Sequence, residues 1–369
     1  MYFLGLASNL KGKTAHHLFT FGKKRDSESL KSYLAGIFDA EVKNVALTSN
    51  GRSALCLTLK SLIPENSEVV LNGFTCRAVL VAIREANCTP VFADIDEKTL
   101  NFTPKTLESL LESHKNIKAV IIQNTLGNTV DIKKFESIAK KHHLALIEDL
   151  AHCVGQKYPD GRLVGSVGNA AALSFGKGKV LDTSTGGALI LRTPAVFPQK
   201  YPKKHPRFSS NFRARWYPVF GTIIRALYRV HLNKYLTALL LKLHFIERSA
   251  DAPLDLTRRP AHWQSKLILE QLEKMPKSPT KIRSFDLVEN RDVLLKTLRK
   301  KGFVFGEIWY DTPVSPARYY KNSGFDEKAC PIATEVAKTI INLPSWYEKS
   351  ALAPAEKLII KHKKETNHD

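Results

Sequence analysis

The sequence predicts an α/β fold: a mostly parallel sheet with helices on both faces, followed by a smaller α+β domain towards the C-terminus. Three observations lead there. Short β-branched runs alternate with helical patterns from about residue 43 to 191, the signature of repeated strand–helix–strand units. The chain has 369 residues, 43% of them hydrophobic, enough to bury a full core. After residue 195 the alternation stops and a basic, aromatic stretch intervenes before helical patterns resume.

The elements divide the chain into an N-terminal segment (1–30), a large domain (31–195), an insertion (196–258) and a small C-terminal domain (259–369). The first segment lacks a basic region before its short apolar run and does not read as a secretory signal. Five cysteines, Cys56, Cys76, Cys88, Cys153 and Cys330, are scattered without a C-x-x-C pair, which argues against a zinc cluster or a disulfide framework. A reducing, cytoplasmic location and no metal site are therefore expected.

In the large domain the strand runs are NVALTS (44–49), EVVL (68–71), PVFA (90–93), KAVIIQ (118–123), LALIE (144–148), AALSF (171–175) and GGALIL (186–191). SALCLTLKSLI, AVLVAIREA, PKTLESLLES and DIKKFESIAKKHH supply the helices between the first five. Ligands of such a sheet bind at the carboxyl ends of its strands.

Net charge is +21, a field that attracts anions of any kind without specifying a fold. Thirteen Lys and Arg against three acids fall between Lys200 and Arg259, so part of the excess is local. Beyond Pro218, helical spacing gathers Val219, Phe220, Ile223, Ile224, Leu227 and Tyr228 on one face and Thr222, Arg225 and Arg229 on the other. That is a basic amphipathic helix, too often interrupted by charge to span a membrane. Its apolar face either packs within the protein or its dimer mate, or lies on an anionic lipid surface. No nucleic-acid-binding module is recognisable. HWQSKLILEQLEKM reads as a further amphipathic helix.

Three clusters at strand ends carry chemistry. SNGRSAL (49–55) passes through Gly51 into a helix whose N-terminus, with Arg52 and Ser53, can cradle a phosphate; the alternative is a simple strand-to-helix turn. IEDLAHCVG (147–155) ends a buried strand in two carboxylates followed by His152, and a carboxylate at that depth needs a cation. ALSFGKGKVLDTSTGGALIL (172–191) sets Lys177 and Lys179 in a glycine-containing turn, with Ser174 five residues before Lys179.

Taken together, these segments resemble the DegT/DnrJ/EryC1/StrS family of sugar aminotransferases, fold-type I enzymes that use pyridoxal 5′-phosphate (PLP). SNGRSAL is similar to the family's S-G-T-x-A-L, NGFTCRAV to P-x-[FY]-T-x-x-A, and TPVFADIDEKTLNFTP to P-V-F-V-D-I-D-x-x-T-x-N-I-D-P. IEDLAHCVG resembles I-E-D-x-A-[QH]-x-x-G, and SFGKGKVLDTSTGGAL the S-F-x-x-x-K…G-G segment. RRPAHWQSKLILEQLEKM and CPIATEVAKTIINLPSW look like family C-terminal segments.

The resemblance implies the seven-stranded PLP-binding large domain and picks Lys179 as the lysine that binds the cofactor covalently and later moves a proton. Asp149 would pair with the pyridine nitrogen. His152 would lie by the ring, unless it is a core histidine bonded to backbone. Gly51, Ser53 and Ser174 would hold the phosphate, with Lys177 a neighbouring loop charge. Glu148 is assigned a structural contact.

Arg52 and Cys76 depart from the family's Thr and aromatic residue at cofactor-binding positions. Asn124, Asn211, Arg213 and Arg259 are the candidates for substrate or partner-subunit contacts, in a homodimer with shared sites; which Asn and Arg reach the neighbour stays open. The implied reaction moves an amino group, with glutamate the expected donor, onto a nucleotide-diphosphate keto sugar for surface polysaccharide or glycolipid. Two other readings compete. One is a different PLP reaction, dehydratase or lyase, against which Lys179 argues. The other is a non-catalytic basic adaptor at the inner membrane face.

Overall fold

The computed structural model describes residues 1–3, 18–192, 202–276, 281–305, 309–345 and 347–366. Residues 4–17 of the N-terminal segment and residues 196–201 of the insertion lie outside them.

The chain opens with β1 (Tyr2–Phe3) and α1 (Lys24–Ile37). The large domain then alternates β2 (Val45–Thr48), α2 (Gly51–Leu62), β3 (Glu68–Asn72), β4 (Thr75–Cys76), α3 (Arg77–Glu85), β5 (Thr89–Ala93), α4 (Pro104–Ser113), β6 (Ile117–Ile122), α5 (Ile132–Lys141), β7 (Ala145–Asp149), β8 (Ala170–Ser174) and β9 (Gly187–Leu191). All these strands except β4 form one sheet in the order β2-β9-β8-β7-β6-β3-β5. β9 runs antiparallel to both neighbours and every other pairing is parallel. Each expected strand run has its counterpart, displaced by no more than a residue or two.

Alternation along the strands explains the two-faced burial. Leu146 enters the apolar layer on one side of the sheet with Val70 and Val120, while Ile147 enters the other with Val69 and Leu71. A sheet covered on both faces buries consecutive residues, hence near-continuous apolar strands. Local signals start the helices: the Asn50 side chain accepts the Ser53 N–H at α2, and Thr103 accepts Thr106 N–H ahead of Pro104 at α4.

The insertion forms α6 (Phe208–Ala226) and α7 (Asn233–Lys242), separated by a short 3₁₀ turn and a left-handed His231. The expected amphipathic helix exists, but it begins ten residues before Pro218. Its fully buried positions are Ala214 and Pro218, one turn apart. Consequently Ile223 is 44% exposed while Ile224 is half-buried, and the expected single apolar face is split.

α8 (His262–Glu273) returns to the large domain, burying Ile268 and Leu272 in its core and meeting α1 through Ser27, whose hydroxyl lies 2.8 Å from His262 Nδ1 and 3.0 Å from Ser265 Oγ. The remaining elements are β10 (Arg283–Leu287), α9 (Arg291–Lys300), β11 (Phe303–Val304), β12 (Val314–Ser315), α10 (Pro331–Thr339), β13 (Ile340–Pro344) and α11 (Lys349–Thr366). β10 pairs antiparallel with β13, β11 takes β1, and β12 joins β4. Through β4 and β12 the C-terminal part reaches the carboxyl ends of the large sheet.

Candidate active site

β7 ends at Asp149, and the turn after it swings His152 back beneath Leu126, whose backbone N–H lies 3.2 Å from His152 Nδ1. Lys179 follows β8 in a turn fixed by Asp182: one carboxylate oxygen accepts the Gly178 N–H and the other the Ser184 N–H, each at 2.8 Å. Gly178 sits at φ +71, a conformation glycine adopts at no steric cost. Gln271 on α8 clamps Asp182 through both its N–H and its carbonyl. The result brings Lys179 Nζ to 3.1 Å from His152 Nε2.

Hydrogen bonding bears on the protonation of this pair. Because His152 Nδ1 accepts an amide N–H, a neutral ring carries its proton on Nε2. Nε2–H can then donate to Lys179 Nζ when that amine is unprotonated. Burial favours the neutral form of each group. It pushes His152 well below its ordinary value, helped by the Lys179 and Arg283 charges, and lowers Lys179 against the opposing influence of Cys76 and Asp149.

Asp149 lies in the same pocket. Burial raises its pKa, opposed by the Ala151 N–H, which its Oδ1 accepts at 3.0 Å, and by the Lys179 charge. Among the described residues that is the carboxylate's one hydrogen bond, and the residue as a whole is half-buried. A deep carboxylate with an open oxygen fits a cationic ring N–H, which would supply the counter-charge its burial demands.

Gly51 and Ser174 lie against each other where β2 turns into α2 and β8 ends. A Cβ on Gly51 would stand 2.7 Å from Ser174 Cβ and 2.9 Å from its hydroxyl, so only glycine allows this approach. The amides of Gly51 and Arg52 have no internal acceptor among the described residues and, with Ser174 Oγ, offer donors for a phosphate at the start of α2. The amine, acid and phosphate cradle together fit pyridoxal phosphate.

Other expected residues are placed differently. Arg52 faces away from the cradle, donating to the carbonyls of Ala250, Ser249 and Ala252. The Ser53 hydroxyl is fully buried between Ser49 Oγ and the Asp255 N–H rather than open to a phosphate. Both corrections share one cause: residues 249–255 strap across the N-terminus of α2 and take up their hydrogen-bonding capacity. Lys177 is no solvated loop charge. Its ammonium donates to the Glu247 carbonyl at 2.6 Å over the Tyr217 ring, 3.8 Å from the centroid, and burial lowers its pKa to about 8.

Asn124 is buried with its amide donating to Tyr158 Oη and its carbonyl accepting the Val130 N–H. Both ends thus serve the fold instead of a substrate. Asn211 accepts the Trp263 indole N–H, Arg213 lies 3.6 Å from Glu247, and Arg259 donates towards His205. Asn211 also lines a cavity of about 250 Å³ with His205 and Trp263, away from Lys179. Glu148 takes the structural role expected, accepting from Tyr158, Gly165, Val167, Gly168 and Arg192.

The C-terminal part adds a wall that sequence reasoning missed. Trp309 lies 5.2 Å from the His152 ring centroid, with Lys179 Nζ 4.8 Å from the indole centroid. Arg283 stacks on the same indole, 4.5 Å away, and donates to Asn342, whose amide in turn holds the Trp309 carbonyl. Tyr310 approaches His152 edge-on at 6.1 Å and lies 3.4 Å from the Gln123 amide. Cys76 is half-buried where the family places an aromatic ring. A tryptophan–tyrosine pair beside Asp-Thr-Pro was the available signal, but nothing local tied it to the lysine.

These features define a class: a pocket of buried lysine, buried acid and anion cradle at the carboxyl ends of a parallel sheet. Comparison with known proteins narrows it. Residues 28–205 match the profile of the DegT/DnrJ/EryC1/StrS aminotransferase family. The UDP-N-acetyl-3-dehydro-alpha-D-glucosamine 3-aminotransferase of Acidithiobacillus ferrooxidans is 26% identical over 306 residues, covering 81% of this chain and 78% of that one. Spr1654 of Streptococcus pneumoniae in its PLP form superposes with a TM-score of 0.68 at 16% identity, over 98% of this chain and 99% of that one. Helicobacter pylori PseC, an aminotransferase of pseudoaminic acid biosynthesis, gives 0.67 at 16%, over 99% and 100%; both structures speak to the fold. Over residues 28–205 the chain is thus similar to the DegT/DnrJ/EryC1/StrS aminotransferase family.

Proposed function

We propose that the protein is a PLP-dependent aminotransferase that converts a nucleotide-linked keto sugar to the amino sugar, with glutamate as donor. The observation that carries this reading is the buried Lys179 amine, its pKa lowered, 3.1 Å from His152 Nε2 and close enough to Asp149 for their charges to act on each other. Asp149 would hold the ring nitrogen, Ser174 and the Gly51 turn would hold the phosphate, and His152 would face the bound group. The bound cofactor supplies an aldehyde and a conjugated ring that takes up electrons when a C–H bond breaks.

The remaining work belongs to this chain. Lys179 Nζ, whose pKa burial lowers, takes the α-proton of the amino donor as a general base. His152 orients that amine through Nε2–H, and its own ring is fixed by the Leu126 amide. Trp309 and Tyr310 cover the pocket and exclude water, which strengthens each charge interaction inside it. In the second half of the cycle the same amine returns a proton to the carbon that was the ketone.

A homodimer is part of the reading; Asn211, Arg213 and Arg259, each engaged within this chain, would have to release those partners to serve the neighbouring site. The substrate's diphosphate suits the basic surface. The enzyme would act in the cytoplasm, at the inner membrane face, on precursors of surface polysaccharide or glycolipid. The test is turnover of UDP-, GDP- and dTDP-linked keto sugars with glutamate, read by mass spectrometry. An amino-sugar nucleotide and 2-oxoglutarate in equal amounts support the reading; a dehydrated or cleaved sugar without 2-oxoglutarate replaces it with the dehydratase or lyase alternative.

A further inference from the structure

The insertion exposes apolar side chains in an order that packing within this chain does not use. On α6 and the turn after it, Trp216, Ile223 and Val230 recur every seven residues, and Val230 is 58% exposed. On α7 and its preceding residue, Leu232, Tyr235, Leu239 and Leu243 follow at helical spacing, with Tyr235 74% exposed. Seven-residue and three-to-four-residue intervals place each set on one stripe of its helix. Two such stripes on adjoining helices exceed the singly scattered apolar residues of an ordinary soluble surface.

Charge decides what fits them. Residues 208–248 contain seven Lys and Arg and a single acid, Glu247. Arg213 and Arg215 turn inward, to Glu247 and to the carbonyls of Leu18 and Thr20. Arg229, Lys234, Lys242 and Arg248 are exposed around the stripes. A second copy docked here through a two-fold contact would bring the same positive charge against itself. An anionic bilayer supplies the opposite charge and an apolar layer at one surface. Among the described residues no helix is long and apolar enough to cross a membrane, so contact would be in-plane.

We infer that the α6–α7 hairpin docks on an anionic lipid surface, with its apolar stripes in the headgroup boundary and its lysines and arginines against lipid phosphates. The hairpin also meets the catalytic loop, because Lys177, two residues before Lys179, donates to the Glu247 carbonyl at the hairpin's end. A nucleotide-sugar enzyme so placed would act beside membrane-bound acceptors, but the lipid contact does not depend on the reaction.

Full-length protein is sedimented with vesicles of phosphatidylcholine alone and with vesicles containing about one-third phosphatidylglycerol. The expected result is binding to the anionic vesicles, weakening as salt is raised, and little binding to the neutral ones. Two variants, Leu232→Ser/Tyr235→Ser/Leu239→Ser and Lys234→Glu/Lys242→Glu, should each weaken binding by at least about tenfold. Both should elute at the wild-type volume on size exclusion and keep the wild-type circular dichroism. Equal sedimentation with both vesicle types, no sedimentation with either, or full binding by both variants overturns the inference. Variants that shift the elution volume instead would make this face a contact between copies of the chain. Vesicle binding reads lipid contact whether or not transamination occurs.

Discussion

The Lys179 pocket and the α6–α7 hairpin treat their difficult residues in opposite ways. In the pocket, a buried amine, an imidazole and a carboxylate are brought together, and the neighbouring Glu148 is surrounded by donors. In the hairpin, large apolar groups are left in water while cations ring them. Both arrangements cost free energy in the isolated chain: one strains protonation, the other leaves the hydrophobic effect unused. Sites that retain such costs are those where a ligand relieves them. On the proposed reading, the contrast separates the pocket assigned to the chemistry from the surface assigned to lipid.

Removing the amine tests that contrast hardest. Lys179→Ala is expected to lower transamination by at least about 10⁴-fold while leaving vesicle binding unchanged, measured by steady-state turnover and sedimentation. Asp149→Asn should lower kcat by about 10²–10³-fold, because an amide cannot supply the negative charge opposite a protonated ring; activity equal to wild type would remove Asp149 from the site.

Glu148→Ala probes the scaffold beneath the pocket. It removes the carboxylate opposite Arg192 and the acceptor of three backbone N–H groups and the Tyr158 hydroxyl, and urea unfolding should show a loss of about 3–5 kcal/mol. Protonation of His152 has a smaller, pH-dependent effect. Its folded pKa is depressed, so below the ordinary value near 6.5 the unfolded chain binds the extra proton first. Its contribution is therefore present above about pH 6.5 and lost as pH falls, by at most about 1.4 kcal/mol per pH unit. A His152→Gln variant should flatten that slope in denaturant titrations between pH 6.5 and 5. In the hairpin, Ile223→Ser and Tyr235→Ser should each change stability by less than about 0.5 kcal/mol, since both side chains already face water; a large loss would mean that the stripe is packed.

The sheet was legible because its signal is local. β-branched runs of four to six residues, separated by helical periods, specify strands wherever both faces are covered, and all seven paired as one sheet. Lys179 and Asp149 were legible through their motifs. Trp309, Tyr310 and Arg283 were not, since they approach the lysine from more than a hundred residues downstream through tertiary packing alone. Arg52, Ser53 and Lys177 were misplaced for a related reason. Their partners, Ser249, Asp255 and Glu247, lie in an insertion whose path no spacing rule specifies. The helix face around Ile223 was read correctly as helical, but hydrophobic periodicity alone could not tell which side Ala214 and Pro218 would bury.

Absorption spectroscopy tests the central claim most directly. Purified protein titrated with pyridoxal phosphate should develop a visible band absent from the unbound cofactor, retain it through desalting, and lose it when glutamate is added. Lys179→Ala should not retain the band. A band that persists identically in Lys179→Ala, or wild-type protein that binds no cofactor at all, would contradict the assignment of this amine and acid as the catalytic pair.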